Sequence, residues 1–153
     1  MASQGHSASR TILVVDDEVS VLATVKRILE CDDYLVLTVD NTDAALRLIG
    51  CKELPIDLMI TDVVMPDLNG RELAERALTV RPLIKVLFMS GYTDSELVRV
   101  KIAERASAFV PKPFTAAHLQ EQVRKTLAAP LHRSAVAGAD SFGFYRSITT
   151  ERN

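Results

Sequence analysis

Residues 12–18 are Ile-Leu-Val-Val-Asp-Asp-Glu, four apolar side chains followed at once by three acidic ones. A short run that is apolar throughout is typical of a strand buried on both faces of a sheet. Apolar residues then recur at the spacing of one helical stripe, at Val21, Leu22, Val25, Ile28 and Leu29. This stretch therefore predicts a buried strand, an acidic turn and an amphipathic helix.

The same alternation of apolar run and helical stripe continues to residue 128. Further strands are predicted at 34–39, 56–61, 84–89 and 108–110. Helices are predicted after a cap at Asn41 or Thr42, over 73–78, after a cap at Asp94 and after a cap at Thr115. Strands and helices in regular alternation predict an α/β fold, with a parallel sheet covered by helices on both sides.

Composition and charge are those of an ordinary globular protein. The 153 residues include 18 Lys+Arg and 20 Asp+Glu, a formal net charge of −2, whereas a general nucleic-acid binder is usually basic. No apolar run reaches the ~18 residues that a membrane-spanning helix needs. The first ten residues lack the apolar stretch of a secretory signal. We therefore expect a cytoplasmic protein without nucleic-acid or membrane partners.

The two ends of the chain differ from the alternating region. Residues 1–10 are small and polar, and we expect them to form a disordered leader. Residues 129–153 show no sustained period, although Phe142 and Tyr145 are unusual for a linker. We expect either a mobile tail or a segment that docks on the core or on a partner, too short to form an output domain. We therefore expect a single domain at residues 11–128, between these two ends.

Cysteine and histidine spacing gives no support for a disulfide, a zinc site or a nucleophile. Cys31 and Cys51 form no CxxC pair, and we expect both to be reduced thiols. His6, His118 and His132 are scattered along the chain, unlike the closely spaced ligands of zinc sites.

Five side chains that can carry chemistry follow four of the predicted strands. Asp16 and Asp17 follow the first strand, Asp62 the third, Ser90 the fourth and Lys112 the fifth. Parallel α/β sheets bind ligands outside the carboxyl ends of their strands. Each residue alone has an ordinary explanation, since an Asp after a strand often caps a helix and a Lys is usually solvated. Together, crowded carboxylates favour a divalent cation such as Mg²⁺, and a cation with a lysine and a hydroxyl suits a phosphoryl group.

Four segments carry a resemblance to a known family. They are ILVVDDE at 12–18, DVVMPDLNG at 62–70, MSG at 89–91 and VPKPF at 110–114. In this combination they resemble the receiver domains of two-component response regulators, over residues 11 to about 128. The run FMSGYTD at 88–94 is also similar to receivers attached to hybrid sensor kinases. The resemblance implies a flavodoxin-like three-layer sandwich with a parallel five-stranded sheet in the order 2-1-3-4-5.

The resemblance also implies roles for single residues. Asp62 would be the phosphoacceptor, a carboxylate that attacks the phosphorus of a phosphohistidine. Asp16 and Asp17 would hold Mg²⁺ together with the Asp62 carboxylate and the backbone carbonyl of Val64. Lys112 would pair with the phosphoryl oxygens.

Ser90 and Phe109 would form the switch of such a receiver. Ser90 would hydrogen-bond the phosphoryl group and move toward it, which opens a space into which Phe109 turns. The movement would alter the surface formed by the helix predicted after Asp94, the fifth strand and the last helix. Phe109 lacks the hydroxyl of a tyrosine, and its alternative role is that of a fixed core aromatic.

Val64 and Tyr92 bear on the lifetime of the phosphorylated state. They lie two residues after Asp62 and Ser90, at positions that in this family flank the path of the hydrolytic water. An apolar valine and a bulky tyrosine should exclude water better than small polar residues do. We therefore predict slow autodephosphorylation.

The implied partners are a sensor histidine kinase or a histidine phosphotransfer protein, and a downstream protein target. The chain would be a signalling receiver rather than an enzyme. Dimers of this family often form through the surface of the helix predicted after Asp94, the fifth strand and the last helix. A homodimer is therefore a further possible partner.

Two other functions compete with this interpretation. A phosphatase of the haloacid-dehalogenase type also uses an Asp nucleophile and Mg²⁺, but it needs a second acid where Val64 stands. A receiver-like scaffold that never turns over is the other, and the intact Asp62, Asp17 and Lys112 argue against it. A DNA-binding regulator is disfavoured because no helix-turn-helix segment follows residue 128.

Overall fold

The computed structural model describes residues 9–66, 68–91 and 108–130. In chain order, the elements in these ranges are β1 (Thr11–Val15), α1 (Val19–Glu30), β2 (Leu35–Val39), α2 (Thr42–Gly50), β3 (Leu58–Asp62), α3 (Gly70–Val80), β4 (Lys85–Gly91), β5 (Ala108–Lys112) and α4 (Ala116–Ala128). The helix predicted after Asp94 lies outside the described residues, as do most of the predicted leader and tail.

The five strands form one parallel sheet in the order β2-β1-β3-β4-β5, which confirms the predicted order. Val15 of β1 lies beside Val39 of β2 and Thr61 of β3. Asp62 of β3 lies beside Met89 of β4. The winding of the sheet changes direction between β1 and β3, so the crevice that binds ligands in such sheets opens at the carboxyl ends of these two strands.

Both faces of the sheet are buried beneath helices. Side chains alternate along a strand, so Leu13 and Val15 pack on the side of α2 and α3, whereas Ile12 and Val14 pack on the side of α1 and α4. All four side chains are fully buried. The two cores make three layers and confirm the flavodoxin-like sandwich.

Three of the predicted site residues lie within strands rather than after them. Asp62 and Lys112 are the last residues of β3 and β5, and Ser90 lies inside β4. The apolar runs end earlier because these side chains are polar, although Asp62 and Ser90 are buried, whereas the strand is defined by backbone pairing. That pairing continues beyond Asp62, since the Val63 N–H donates to the Met89 carbonyl at 2.9 Å.

Polar side chains cap three of the helices. Asn41 accepts a hydrogen bond from the Ala44 N–H at 2.8 Å, which makes Asn41 rather than Thr42 the cap of α2. Thr115 accepts from the His118 N–H at 3.1 Å and caps α4 as predicted. Each cap satisfies one of the N–H groups that have no partner within the helix.

Two basic side chains bind carbonyl groups at helix ends far from the carboxyl edge of the sheet. Arg81 donates from Nε to the Ile49 carbonyl at 2.8 Å and from a terminal guanidinium nitrogen to the Cys51 carbonyl at 2.6 Å, at the end of α2. Lys85 donates from Nζ to the Leu127 carbonyl at 2.8 Å and to the Ala129 carbonyl, at the end of α4. These contacts connect α3 to α2 and β4 to α4.

The cysteines are consistent with the expected thiols. Cys31 follows α1 and Cys51 follows α2, and both are free and exposed.

Candidate functional site

Three carboxylates meet at the carboxyl ends of β1 and β3. Asp16 follows β1 directly, Asp17 comes next, and Asp62 ends β3. One oxygen from each of the three lies within 4.8 Å of the others. Asp16 and Asp62 are buried and Asp17 is exposed, so the cluster opens to solvent on the Asp17 side.

Local hydrogen bonds fix the two buried carboxylates. Asp16 Oδ1 accepts from the Glu18 N–H at 2.9 Å, and the Asp16 N–H donates to the Val39 carbonyl at 3.3 Å. Asp62 Oδ1 accepts from the Val64 N–H at 3.4 Å. The orientation of both acids is therefore set by backbone immediately around them.

Gly70 allows α3 to begin directly against the Asp62 backbone. A Cβ at this position would lie 2.0 Å from the Asp62 carbonyl oxygen, far inside van der Waals contact. The Gly70 N–H also donates to the Val63 carbonyl at 2.8 Å. Only glycine permits so close an approach of helix and strand.

Lys112 brings a positive charge from β5 into this acidic cluster. Its Nζ lies 2.8 Å from Asp16 Oδ2, 3.2 Å from Asp62 Oδ2 and 3.5 Å from Glu18 Oε1. The peptide bond that follows, to Pro113, is cis. The contact with Glu18 was not predicted, because sequence alone does not show how far the Lys112 side chain reaches across the sheet edge.

Burial sets the direction of the pKa shifts of the two buried acids. It raises the pKa of Asp62 to about 6, against the opposing effect of the Lys112 charge, and the nearby Asp16 adds to the rise. Burial also raises the pKa of Asp16, although Lys112 and the Glu18 N–H oppose it. For Lys112, burial would lower the pKa, but the contacts with Asp16 and Asp62 outweigh it and raise the pKa. The cluster therefore holds more negative charge than one ammonium neutralises.

The carboxylates of the cluster fit a hard divalent cation. Mg²⁺ prefers oxygen ligands and is usually bound through one or two carboxylates. Asp16, Asp17 and Asp62 offer three carboxylate oxygens at mutual distances that a single ion can bridge. A cation there would stabilise the ionised carboxylates and so oppose the effect of burial on their pKa values.

Three other predicted site residues lie on or beside the strands that carry Asp62 and Lys112. Ser90 is fully buried next to Met89, the neighbour of Asp62 on β4, and its hydroxyl lies 3.3 Å from the Gly91 carbonyl. Phe109 is partly buried against the core under α2 and α3. Val64 is 56% exposed beside Asp62. Tyr92 lies outside the described residues.

None of the helices in the described ranges is long and apolar enough to cross a membrane.

The fold and the site define a flavodoxin-like protein. Its acidic pocket and lysine lie at the carboxyl ends of the strands, where the winding of the sheet changes direction. Residues 12–124 match the model of the response regulator receiver domain family, and the chain belongs to this family. Members are signalling domains rather than enzymes, so the haloacid-dehalogenase alternative is excluded.

Two curated relatives show the range of proteins that carry this domain. The chain is 32% identical over 120 residues to the response regulator receiver protein CpdR of Brucella abortus, covering 78% of this chain and 98% of CpdR. It is 32% identical over 121 residues to the sensor kinase CckA of the same organism, covering 79% of this chain but 13% of CckA. The chain therefore spans nearly all of one relative and a small part of the other. The predicted likeness to receivers attached to sensor kinases is confirmed.

A solved structure gives the same result for the fold. The receiver domain protein from Clostridium thermocellum superposes with a TM-score of 0.68 at 30% identity, covering 77% of this chain and 94% of that one.

Proposed function

We propose that the chain accepts a phosphoryl group on Asp62 from a phosphohistidine, in a reaction that depends on Mg²⁺. The observation that carries this proposal is the position of Lys112 Nζ, 3.2 Å from Asp62 Oδ2 within a cluster of three carboxylates. A buried acid beside a cation site and a fixed ammonium can receive a phosphoryl group and neutralise its oxygens. The donor would be a sensor histidine kinase or a histidine phosphotransfer protein.

Asp62 acts as the nucleophile in this transfer. An oxygen of its ionised carboxylate forms a bond to phosphorus as the bond between phosphorus and the imidazole nitrogen of the donor breaks, and the electron pair of that bond stays on the imidazole. Without a metal ion the pKa of Asp62 is about 6, so the carboxylate is already mostly ionised at pH 7, and bound Mg²⁺ would favour the ionised form further. Lys112 binds one of the phosphoryl oxygens and stabilises the negative charge that they carry during the transfer.

Asp16, Asp17, the Asp62 carboxylate and the backbone carbonyl of Val64 would hold the magnesium ion. When bound, Mg²⁺ supplies positive charge that neutralises the phosphoryl oxygens during transfer. Asp16 and Asp62 are held in place for this task by the backbone hydrogen bonds described above.

Ser90 and Phe109 would transmit the phosphorylated state to a partner. Ser90 is buried on β4, one residue after the strand neighbour of Asp62, and its hydroxyl would donate to the new acceptor oxygens of a phosphorylated Asp62. Phe109 is partly buried, so a change in its packing would alter the accessible surface around β5. The altered surface would bind or release a downstream protein, or mediate a homodimer.

We also propose residues 11–128 as the bounds of the receiver unit. A cytoplasmic location fits the proposed donors, since kinases draw their phosphoryl groups from ATP.

Mass spectrometry tests the proposal directly. The chain is incubated with phosphoramidate and Mg²⁺, and we expect the mass to rise by one phosphoryl group. The gain should be absent in Asp62→Asn and after removal of Mg²⁺ with EDTA. Asp43→Asn, an exposed acid on α2, serves as the matched control. An equal gain in Asp62→Asn would refute the assignment of Asp62.

A further inference from the structure

Glu18 is an acidic residue at the pocket that the mechanism above does not use. It is the N-cap residue of α1, yet its side chain makes no capping hydrogen bond. Glutamate is not among the residues that usually cap helices, which are Ser, Thr, Asp and Asn. The Glu18 side chain instead reaches Lys112, with Oε1 3.5 Å from Nζ.

Lys112 Nζ thus has three carboxylate neighbours and three N–H bonds to direct at them. Two of these neighbours, Asp16 and Asp62, belong to the cluster that fits a divalent cation. Glu18 does not belong to it. The three contacts therefore respond differently when a cation binds.

A divalent cation at the cluster would weaken two of the three contacts. It would draw electron density from the Asp16 and Asp62 carboxylates and repel the ammonium directly. The contact between Glu18 and Lys112 shares no carboxylate with the cation. The Glu18 side chain is 61% exposed, so it can keep the contact without the desolvation cost of a buried acid.

We propose that Glu18 is a positioning residue that holds the Lys112 ammonium at the pocket while a divalent cation occupies the carboxylates of Asp16 and Asp62. This inference rests on the proposed function, because the ammonium is held there to meet the phosphoryl group. Glu18 itself touches neither the phosphoryl group nor the cation.

Two substitutions separate the contact from the charge. Glu18→Gln removes the charge at constant size. Glu18→Asp keeps the charge on a side chain one methylene shorter, which favours capping of α1 over reaching Lys112. Glu30→Gln is the matched control, since Glu30 lies on the same helix and pairs with another lysine, Lys26, at 3.2 Å.

Phosphorylation by phosphoramidate at saturating Mg²⁺ is the first measurement. We expect Glu18→Gln and Glu18→Asp to be slower than wild type by about two- to fivefold, the range expected when one exposed ion pair is lost. Glu30→Gln should match wild type. A Glu18→Gln protein that is equally fast or faster would overturn the proposal, and so would a Glu18→Asp protein that matches wild type.

The second measurement needs no phosphoryl transfer. The NMR signal of the Lys112 ammonium protons, assigned by its loss in Lys112→Arg, should persist with Mg²⁺ in wild type and in Glu30→Gln. It should broaden or vanish with Mg²⁺ in both Glu18 variants, and persistence there would contradict the proposal. If wild type takes no phosphoryl group, the proposed function fails, while the ammonium signal still decides the role of Glu18.

Discussion

Asp62 is a carboxyl group that folding makes harder to ionise. Its side chain is 10% exposed and lies beside Asp16, and its pKa rises to about 6 although Lys112 is 3.2 Å away. The ionised Asp62 thus lowers the stability of the metal-free chain, as is common where side chains are arranged for chemistry. Two neighbours adjoin Asp62. Gly70 lies against its backbone, and Val64 is exposed to solvent beside it.

Asp62→Asn should stabilise the metal-free fold at neutral pH. The folded-state pKa lies above the unfolded value of 3.8, so the ionised carboxylate penalises folding above about pH 6, and the penalty vanishes below the unfolded pKa, where both states are protonated. Urea unfolding with EDTA at pH 7.5 should show a gain of about 1–3 kcal/mol over wild type. The gain should shrink as pH falls from 6 toward 4, and a gain that is constant over this range would refute the explanation.

Gly70→Ala should destabilise the fold and disturb Asp62. The added methyl group would meet backbone atoms, which cannot rotate away, so we expect a loss of about 2–4 kcal/mol in the free energy of unfolding. Gly50→Ala is the matched control, because a Cβ there meets nothing within 4 Å. Denaturant unfolding of the two variants checks the difference, and similar stabilities would contradict it.

Val64→Asn should shorten the lifetime of the phosphorylated chain. Val64 is exposed beside Asp62 and its own N–H contacts the carboxylate, so an amide in its place could orient water toward the acyl phosphate. We expect dephosphorylation to become several-fold faster, followed as loss of the phosphorylated mass with time. An unchanged lifetime would remove the basis for the predicted slow autodephosphorylation.

At the scale of elements, their existence was predictable and their ends were less so. Periodicity located every strand and helix that the structure describes, because apolar patterns report burial. Strand ends were harder, since Ser90 and Lys112 continue β4 and β5 through backbone pairing alone. No cap was predicted for α3, where Asn69 accepts from the Glu72 N–H at 2.9 Å, because Asp67 and Asn69, which precede it in the sequence, could each begin a helix.

Arg81→Met should loosen the end of α2. The change keeps the length of the side chain but removes the donors to the Ile49 and Cys51 carbonyls, and we expect a loss of about 1–2 kcal/mol. Arg76→Met, an exposed residue of α3, should be nearly neutral. Hydrogen exchange should show faster exchange in α2 for Arg81→Met alone. The same exchange rate of α2 in both variants would show that the hydrogen bonds from Arg81 do not hold the end of this helix.

At the scale of the whole molecule, the sheet order followed from the resemblance, and the convergence of the acids followed from the polarity of parallel strands. The contacts of Lys112 did not, since Asp16 and Lys112 are 96 residues apart and the end of β5 is not adjacent to β1. Long side chains that cross the sheet edge depend on backbone geometry that no local pattern encodes. Glu18 acquires its contact in this way.

Mg²⁺ should stabilise the whole fold through the acidic cluster. A ligand that binds only the folded chain adds about 2.7 kcal/mol at a concentration one hundred times its Kd, which a thermal unfolding series in Mg²⁺ would show as a rising Tm. Asp17→Asn should abolish most of the rise without harming the fold, since Asp17 is exposed. Asp40→Asn, an exposed acid at the same sheet edge, should keep it. Equal shifts in the two variants would place the cation elsewhere.

Lys85, on the amino side of β4, has a practical consequence. By binding the Ala129 carbonyl it fixes the chain at residue 130 near that side, and the Arg10 carbonyl is held there too by the Leu35 N–H. The acidic pocket lies at the opposite side, roughly 16 Å away along a five-residue strand. A fluorescent label or a surface tether introduced at residue 10 or residue 130 would therefore leave the pocket facing the solution, which suits immobilised kinetic assays with large donor proteins.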